Sequence, residues 1–216
     1  MQIDYDFQRP VTRRYRDPLD VVWLTTARRL GLTVRRNPHV HAASDGHGLL
    51  EISTPGGFDA DDCLAQMIFH EVCHWIANGA ETLHERDWGF PLEDLDDWRE
   101  LSGLRVQAAL AERYGLRELF ASTAGLFRQY YDLLPTDPMA PIDDTELEAR
   151  VVALAEEGLA NAEGAPWAPH LQRALEATRS ILLVVEPFLA DFESDIEDDL
   201  PSLWEARAAH RRAAVS

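Results

Sequence analysis

Lysine is absent from the 216 residues, so all 20 basic side chains are arginine. That removes Schiff-base formation and lysine general bases from the available chemistry. Cysteine is nearly absent: only Cys63 and Cys73 occur. Both fall in a segment that reads as one helix, which sets them roughly 15 Å apart at about 1.5 Å per residue. A disulfide tolerates a Cα separation of only about 7 Å, so an internal bridge is excluded and a reducing, cytoplasmic setting is expected. No run of eighteen apolar residues and no basic stretch leading into an apolar one is found, so a soluble chain without a membrane partner is expected. Positive charge is scarce, with 38 acidic residues against 20 basic and a formal charge of −18. Such a surface repels a phosphate backbone and argues against a nucleic-acid partner. Phosphate-binding glycine loops, nucleotide fingerprints and a convincing serine nucleophile are also missing.

What is present is an amphipathic, hydrophobic chain (46 % apolar) long enough to bury one sizeable core. The expected fold class is α+β, with residues 1–134 as a catalytic core and 135–216 as a helical C-terminal extension of the same domain. Asp17-Pro18 caps a helix that runs to about Leu30. After Gly31, the segments 32–34, 39–41 and 49–54 read as strands of a small sheet, the last two joined by the hairpin signal Asp45-Gly46-His47-Gly48. From about Ala60 to Ala77, the residues Leu64, Met67, Ile68, Val72, Trp75 and Ile76 recur at a 3.6-residue period behind Asp59 or Asp61 as cap. A loop over 79–96 precedes a helix over 97–114. Further helices are expected over 116–133, 145–162 and 169–189, separated by the linker 135–141 and by Gly164-Ala165-Pro166. The acidic stretch 191–199 reads as a solvated tail.

The chemistry concentrates in His70-Glu71-Val72-Cys73-His74. Two histidines four apart share one helix face and can converge on one ion at about 2.0–2.1 Å, while Glu71, offset by about 100°, stands beside it as a general base for activated water. This is the H-E-x-x-H arrangement. Two histidines under-coordinate an ion, so a third ligand must follow. Gly79 and His84 fall at the wrong offsets for the H-E-x-x-H-x-x-G-x-x-H form. A later glutamate is the alternative. Glu93, nineteen residues after His74, has a spacing like that of glutamate-ligated peptidases, whereas Glu100 lies within a helix that would present it rigidly and is preferred.

Around this motif, His70-Glu71-Val72-Cys73-His74-Trp75 is followed by Gly79, by Asp87-Trp88-Gly89-Phe90, and by Glu100 seven residues before Gln107-Ala108. Over about residues 65–115 this resembles the elongation factor P hydroxylases. The resemblance implies a two-histidine, one-carboxylate site of His70, His74 and Glu100. A zinc-peptidase-like architecture is the expectation for the fold.

Three readings follow. In the first, zinc is bound and Glu71 activates water for hydrolysis of a peptide or amide bond in a peptide or protein substrate. In the second, iron(II) occupies the same ligands and a protein side chain is hydroxylated, as the resemblance implies. In the third, the metal only braces a binding protein, or is absent. Lesser expectations concern other residues. His39, His41 and His47 are weak candidates for a second metal, and Cys73 reads as a small core residue. Asp87 and Trp88 would line the pocket mouth or hydrogen-bond a ligand imidazole. Trp23, Trp167 and Trp204 read as packing aromatics.

Overall fold

The structure, a computed structural model, describes residues 15–59, 62–90, 98–122 and 125–192. Among them the architecture is α+β, a three-stranded sheet with six α-helices. Helix α1 (Pro18–Arg29) starts where its cap predicts: the Asp17 carboxylate accepts from the Leu19 amide at 2.8 Å and Pro18 sits in the first turn. It buries Trp23 and Ala27, and the Trp23 indole donates to Thr178 Oγ1 at 3.0 Å.

Strands β1 (Thr33–Arg36), β2 (Ala42–Ser44) and β3 (Leu49–Ile52) form a sheet in the order β1-β3-β2, parallel between β1 and β3 and antiparallel between β2 and β3. The second strand therefore begins three residues later than the expected 39–41. Its displacement has a local cause: Asn37 Oδ1 accepts from the His39 amide at 2.9 Å, an Asx turn that with Pro38 bends the chain before pairing starts. The hairpin is where its glycines place it, with Asp45 Oδ1 accepting from His47 and Leu49 amides at 2.7 and 2.9 Å.

Helix α2 (Leu64–Asn78) is almost wholly enclosed; every residue except His70 and Asn78 is buried. Helices α1, α3 (Trp98–Glu112) and α5 (Glu146–Ala162) and strand β3 all pack on it. A helix covered on all sides must be apolar almost all round, and this one is. It starts later than expected. Cys63 is the N-cap, in a capping box with Gln66, so the Asp59 cap is not used, and Asp61 lies outside the described residues. Close approach of α5 depends on Gly158, where a Cβ would lie 3.1 Å from Ala77 Cα and 2.9 Å from Val106 Cγ2.

The expected helix over 116–133 is only partly formed. Residues 116–122 are turns and irregular backbone, and α4 spans Gly125–Leu133. The carbonyls of Phe120 and Ala121 are captured by side-chain amides: Gln107 Nε2 donates to the first at 2.5 Å and Gln66 Nε2 to the second. Those bonds hold the segment as irregular chain against α2 and α3.

Residues 135–142 are tied down by a buried ion pair. Arg105 of α3, fully buried, pairs with Glu148, donates to Tyr130 Oη at 2.6 Å and to the carbonyl of Ala140 at 3.0 Å, and also reaches the carbonyl of Pro138. Helix α6 (His170–Phe192) follows, and Trp167 ahead of it is buried, as Trp23 is. Trp204 and the stretch 193–199 lie outside the described residues. The chain divides into a compact unit ending at Arg179 and a second beginning at Ser180. Among the described residues no helix is long and apolar enough to cross a membrane.

Candidate metal centre

Helix α2 carries His70 and His74 one turn apart, and α3, which packs on it, carries Glu100. The three side chains meet. His70 Nε2 lies 2.8 Å from His74 Nε2, Glu100 Oε2 lies 3.2 Å from His74 Nε2, and Glu100 Oε1 lies 3.5 Å from His70 Nε2. Donors bound tetrahedrally at about 2.0–2.1 Å stand about 3.3 Å apart, and these separations bracket that value. The 2.8 Å between the two imidazole nitrogens is also hydrogen-bond distance, and with the Glu100 carboxylate beside them the set has the donor chemistry and spacing that fit a metal ion.

The state of each imidazole follows from its neighbours. Gln107 spends its amide N–H on the Phe120 carbonyl and so turns Oε1 toward His70 Nδ1 at 2.8 Å. His70 Nδ1 must then carry the proton, which leaves a lone pair on Nε2, facing the cluster. For His74, burial above all, and then the neighbouring His70, push the pKa down to about 3, so it stays neutral and ligand-competent at any physiological pH. Its Nδ1 is buried without a hydrogen-bond partner. The ring lies over Gly103 of α3, where a Cβ would come within 2.7 Å of that nitrogen, and the Phe90 ring meets it edge-on at 4.7 Å.

Glu71 also approaches the cluster, with a carboxylate oxygen within 4.8 Å of the two histidine nitrogens. Its Oε2, however, accepts from the Trp88 indole at 3.1 Å, and the nearer oxygens are those of Glu100. Trp88 is delivered by an unusual backbone. Asp87 and Trp88 are consecutive left-handed residues with φ of 48° and 57°, a conformation costing about 1–3 kcal/mol at each non-glycine position. The stacking of Trp88 on Trp75, with centroids 5.4 Å apart, and the bond from the Ser44 amide to Asp87 Oδ1 at 2.8 Å hold it. The expectation for this pair needs correction: Trp88 bonds the Glu71 carboxylate and not an imidazole, and Asp87 bonds the edge of the sheet. Neither borders the cavity that opens beside the cluster. That cavity, of about 210 Å³, is bordered by His41 in the bend before β2, by Ala42 of β2, and by Met67, Ala121, Ser122 and Phe127.

Other expectations also resolve. Glu93 lies outside the described residues. His39, His41 and His47 form no group of three potential ligands among the described residues, and the first two sit in a turn and not on a strand. Cys73 is fully buried, and burial raises its pKa well above the usual thiol value, so it stays a protonated core residue; both cysteines are free. The roles of Gln107, Gly103 and Gln66 were not read from the sequence. One signal was available: Gly103 and Gln107 follow Glu100 by three and seven residues, which puts all three on one face of α3.

Two tests follow from that face. Gln107→Leu removes the partner that fixes the His70 tautomer and is expected to weaken metal affinity about 10–100-fold, as measured by chelator competition. Gly103→Ala should raise helix propensity by as much as about 1 kcal/mol, yet its methyl would displace the His74 ring. Lowered metal affinity in this variant is the expected result; unchanged affinity would refute the steric account.

No family model matches the chain, and no curated protein or solved structure does so either.

Proposed function

We propose that the chain is a metal-dependent enzyme of the H-E-x-x-H type, zincin-like in architecture, that binds one zinc ion through His70, His74 and Glu100 and hydrolyses a peptide or amide bond. The observation that carries this reading is the convergence of two imidazole nitrogens from α2 and one carboxylate from α3 beside a cavity. Three protein donors are the complement of a catalytic zinc site, whereas a purely structural site takes four. When bound, the ion supplies a Lewis acid that polarises a carbonyl and makes water nucleophilic near neutral pH. Glu71 supplies the base. Its Oε2 is held by the Trp88 indole, and the carboxylate takes a proton from the attacking water and returns it to the leaving nitrogen. Gln107 keeps the His70 proton on Nδ1 throughout. A cytoplasmic location suits the two free thiols.

A second reading, iron(II)-dependent hydroxylation of a protein side chain, has its own support. The residues that carry the resemblance to elongation factor P hydroxylases gather at this centre: Trp88 on Glu71, Phe90 on His74, Glu100 at the cluster and Gln107 on His70. Two imidazoles and one carboxylate also suit non-haem iron. The protein, loaded separately with zinc or iron(II) and incubated with a mixed peptide pool, separates the readings by product mass. Fragments whose masses sum to a substrate plus one water support hydrolysis. A gain of one oxygen atom, seen only with iron(II) and dioxygen, supports hydroxylation and overturns hydrolysis; no product with either metal overturns both.

A further inference from the structure

The cavity is bounded on one side by Ala42 of strand β2, which lies at the edge of the sheet and has no strand on its outer flank among the described residues. Alternation along the antiparallel pair settles which groups that flank presents. The His41 carbonyl accepts from the Ser53 amide at 2.8 Å and the Asp45 amide donates to the Leu49 carbonyl at 3.1 Å, so residues 41, 43 and 45 turn their backbone groups toward β3. Ala42 and Ser44 therefore turn theirs outward. An extended chain adding to this edge would bond with both.

Among the described residues, no partner lies on the outward groups of Ala42, whereas Ser44 is taken. The Ser44 amide is already bonded to Asp87 Oδ1 at 2.8 Å, with the carboxylate buried against the strand and locked there by the left-handed Asp87-Trp88 backbone. In the other direction the strand ends at Ala42: Val40, the next residue that would face outward, follows the turn at 38–39 set by Asn37 and is not on the strand. The cavity agrees with so short an edge. At about 210 Å³, it falls below the range of about 300–1,000 Å³ usual for pockets that enclose larger ligands. Its apolar wall of Met67, Ala121 and Phe127 suits one side chain.

We propose that Ala42 forms a backbone subsite one residue long, so that the substrate is an amide carried by a single residue and not an extended internal stretch of polypeptide. This rests on the metalloenzyme reading above and narrows its substrate. Asp87 is a specificity device: its carboxylate occupies the next hydrogen-bonding position on the edge and repels an incoming carbonyl.

Two chelating probes test it on the full chain loaded with zinc: acetyl-leucine hydroxamate, one residue long, and acetyl-trialanyl-leucine hydroxamate, which continues for three more. Dissociation constants are measured by calorimetry. Equal affinity of the two, within about threefold, is expected, because the extra residues find no partner; two more strand hydrogen bonds would tighten binding by about tenfold or more. In Asp87→Ala the Ser44 amide is released, and the longer probe should gain about tenfold over the shorter. If the wild-type protein already prefers the longer probe by tenfold, the closed edge is refuted while the metal site stands. If neither probe binds the zinc-loaded protein, the metalloenzyme reading fails and the subsite fails with it. The wild-type comparison decides the matter even if Asp87→Ala does not fold.

Discussion

Glu71→Gln should lower turnover by about 10²–10⁴-fold while leaving metal content unchanged. The substitution is nearly isosteric, and the new amide oxygen can still accept the Trp88 indole proton, so the packing of this buried side chain on the tryptophan pair is kept. The ligand set is also kept, because the oxygens nearest the histidine nitrogens belong to Glu100. What is lost is the capacity to take a proton. Measuring kcat and metal stoichiometry on the same sample separates a missing base from a missing ion. A variant with full hydrolytic activity would show that the base is elsewhere, and one that lost its metal would show that Glu71 is a ligand.

The second large effect is on stability. Arg105→Met should destabilise the fold by about 3–5 kcal/mol, the usual consequence of removing one member of a buried ion pair. Glu148, only 3 % exposed, would keep its bonds from the Ile142 amide at 2.8 Å and Tyr130 Oη at 3.2 Å but lose its counter-charge. The carbonyls of Pro138 and Ala140 would lose their donor as well. For a chain of this size the melting temperature should fall by about 10 °C. Replacing both partners with apolar residues, Arg105→Met with Glu148→Leu, should recover much of the loss, since no buried charge is then stranded. A double variant no better than the single one would mean that the carbonyl bonds, and not the charge pair, hold the linker.

How far the sequence could be read depended on whether each feature was set locally. The Asp17-Pro18 cap, the period of α2 and the glycine turn at 45–48 are short-range chemistry, and each appears where expected. Strand β2 starts three residues after the point that the β-forming pattern of His39-Val40-His41 predicts, because an Asx turn at Asn37 outweighs that pattern. The pattern over 116–133 predicts helix throughout, because nothing nearby reveals that Gln66 and Gln107, distant in sequence, claim the carbonyls of Ala121 and Phe120. The centre divides in the same way. His70 and His74 are legible because one helical turn brings them together, and Glu100 because a helix presents it. Spacing along α3 puts Gly103 and Gln107 on the face of Glu100, but their roles are defined by the imidazoles that α2 places opposite them. The link from Trp88 to Glu71 passes through two left-handed residues, a conformation that Asp tolerates better than Trp and that no local pattern announced.

The most direct measurement is the metal content of the protein purified without chelator, set beside that of His74→Ala, by elemental analysis followed by zinc titration. One ion per chain, retained by the wild type and lost from the variant, is what a cluster of two imidazoles and the Glu100 carboxylate requires. A wild-type protein that neither carries nor takes up an ion, or a His74→Ala variant that binds zinc as tightly as the parent, would contradict it.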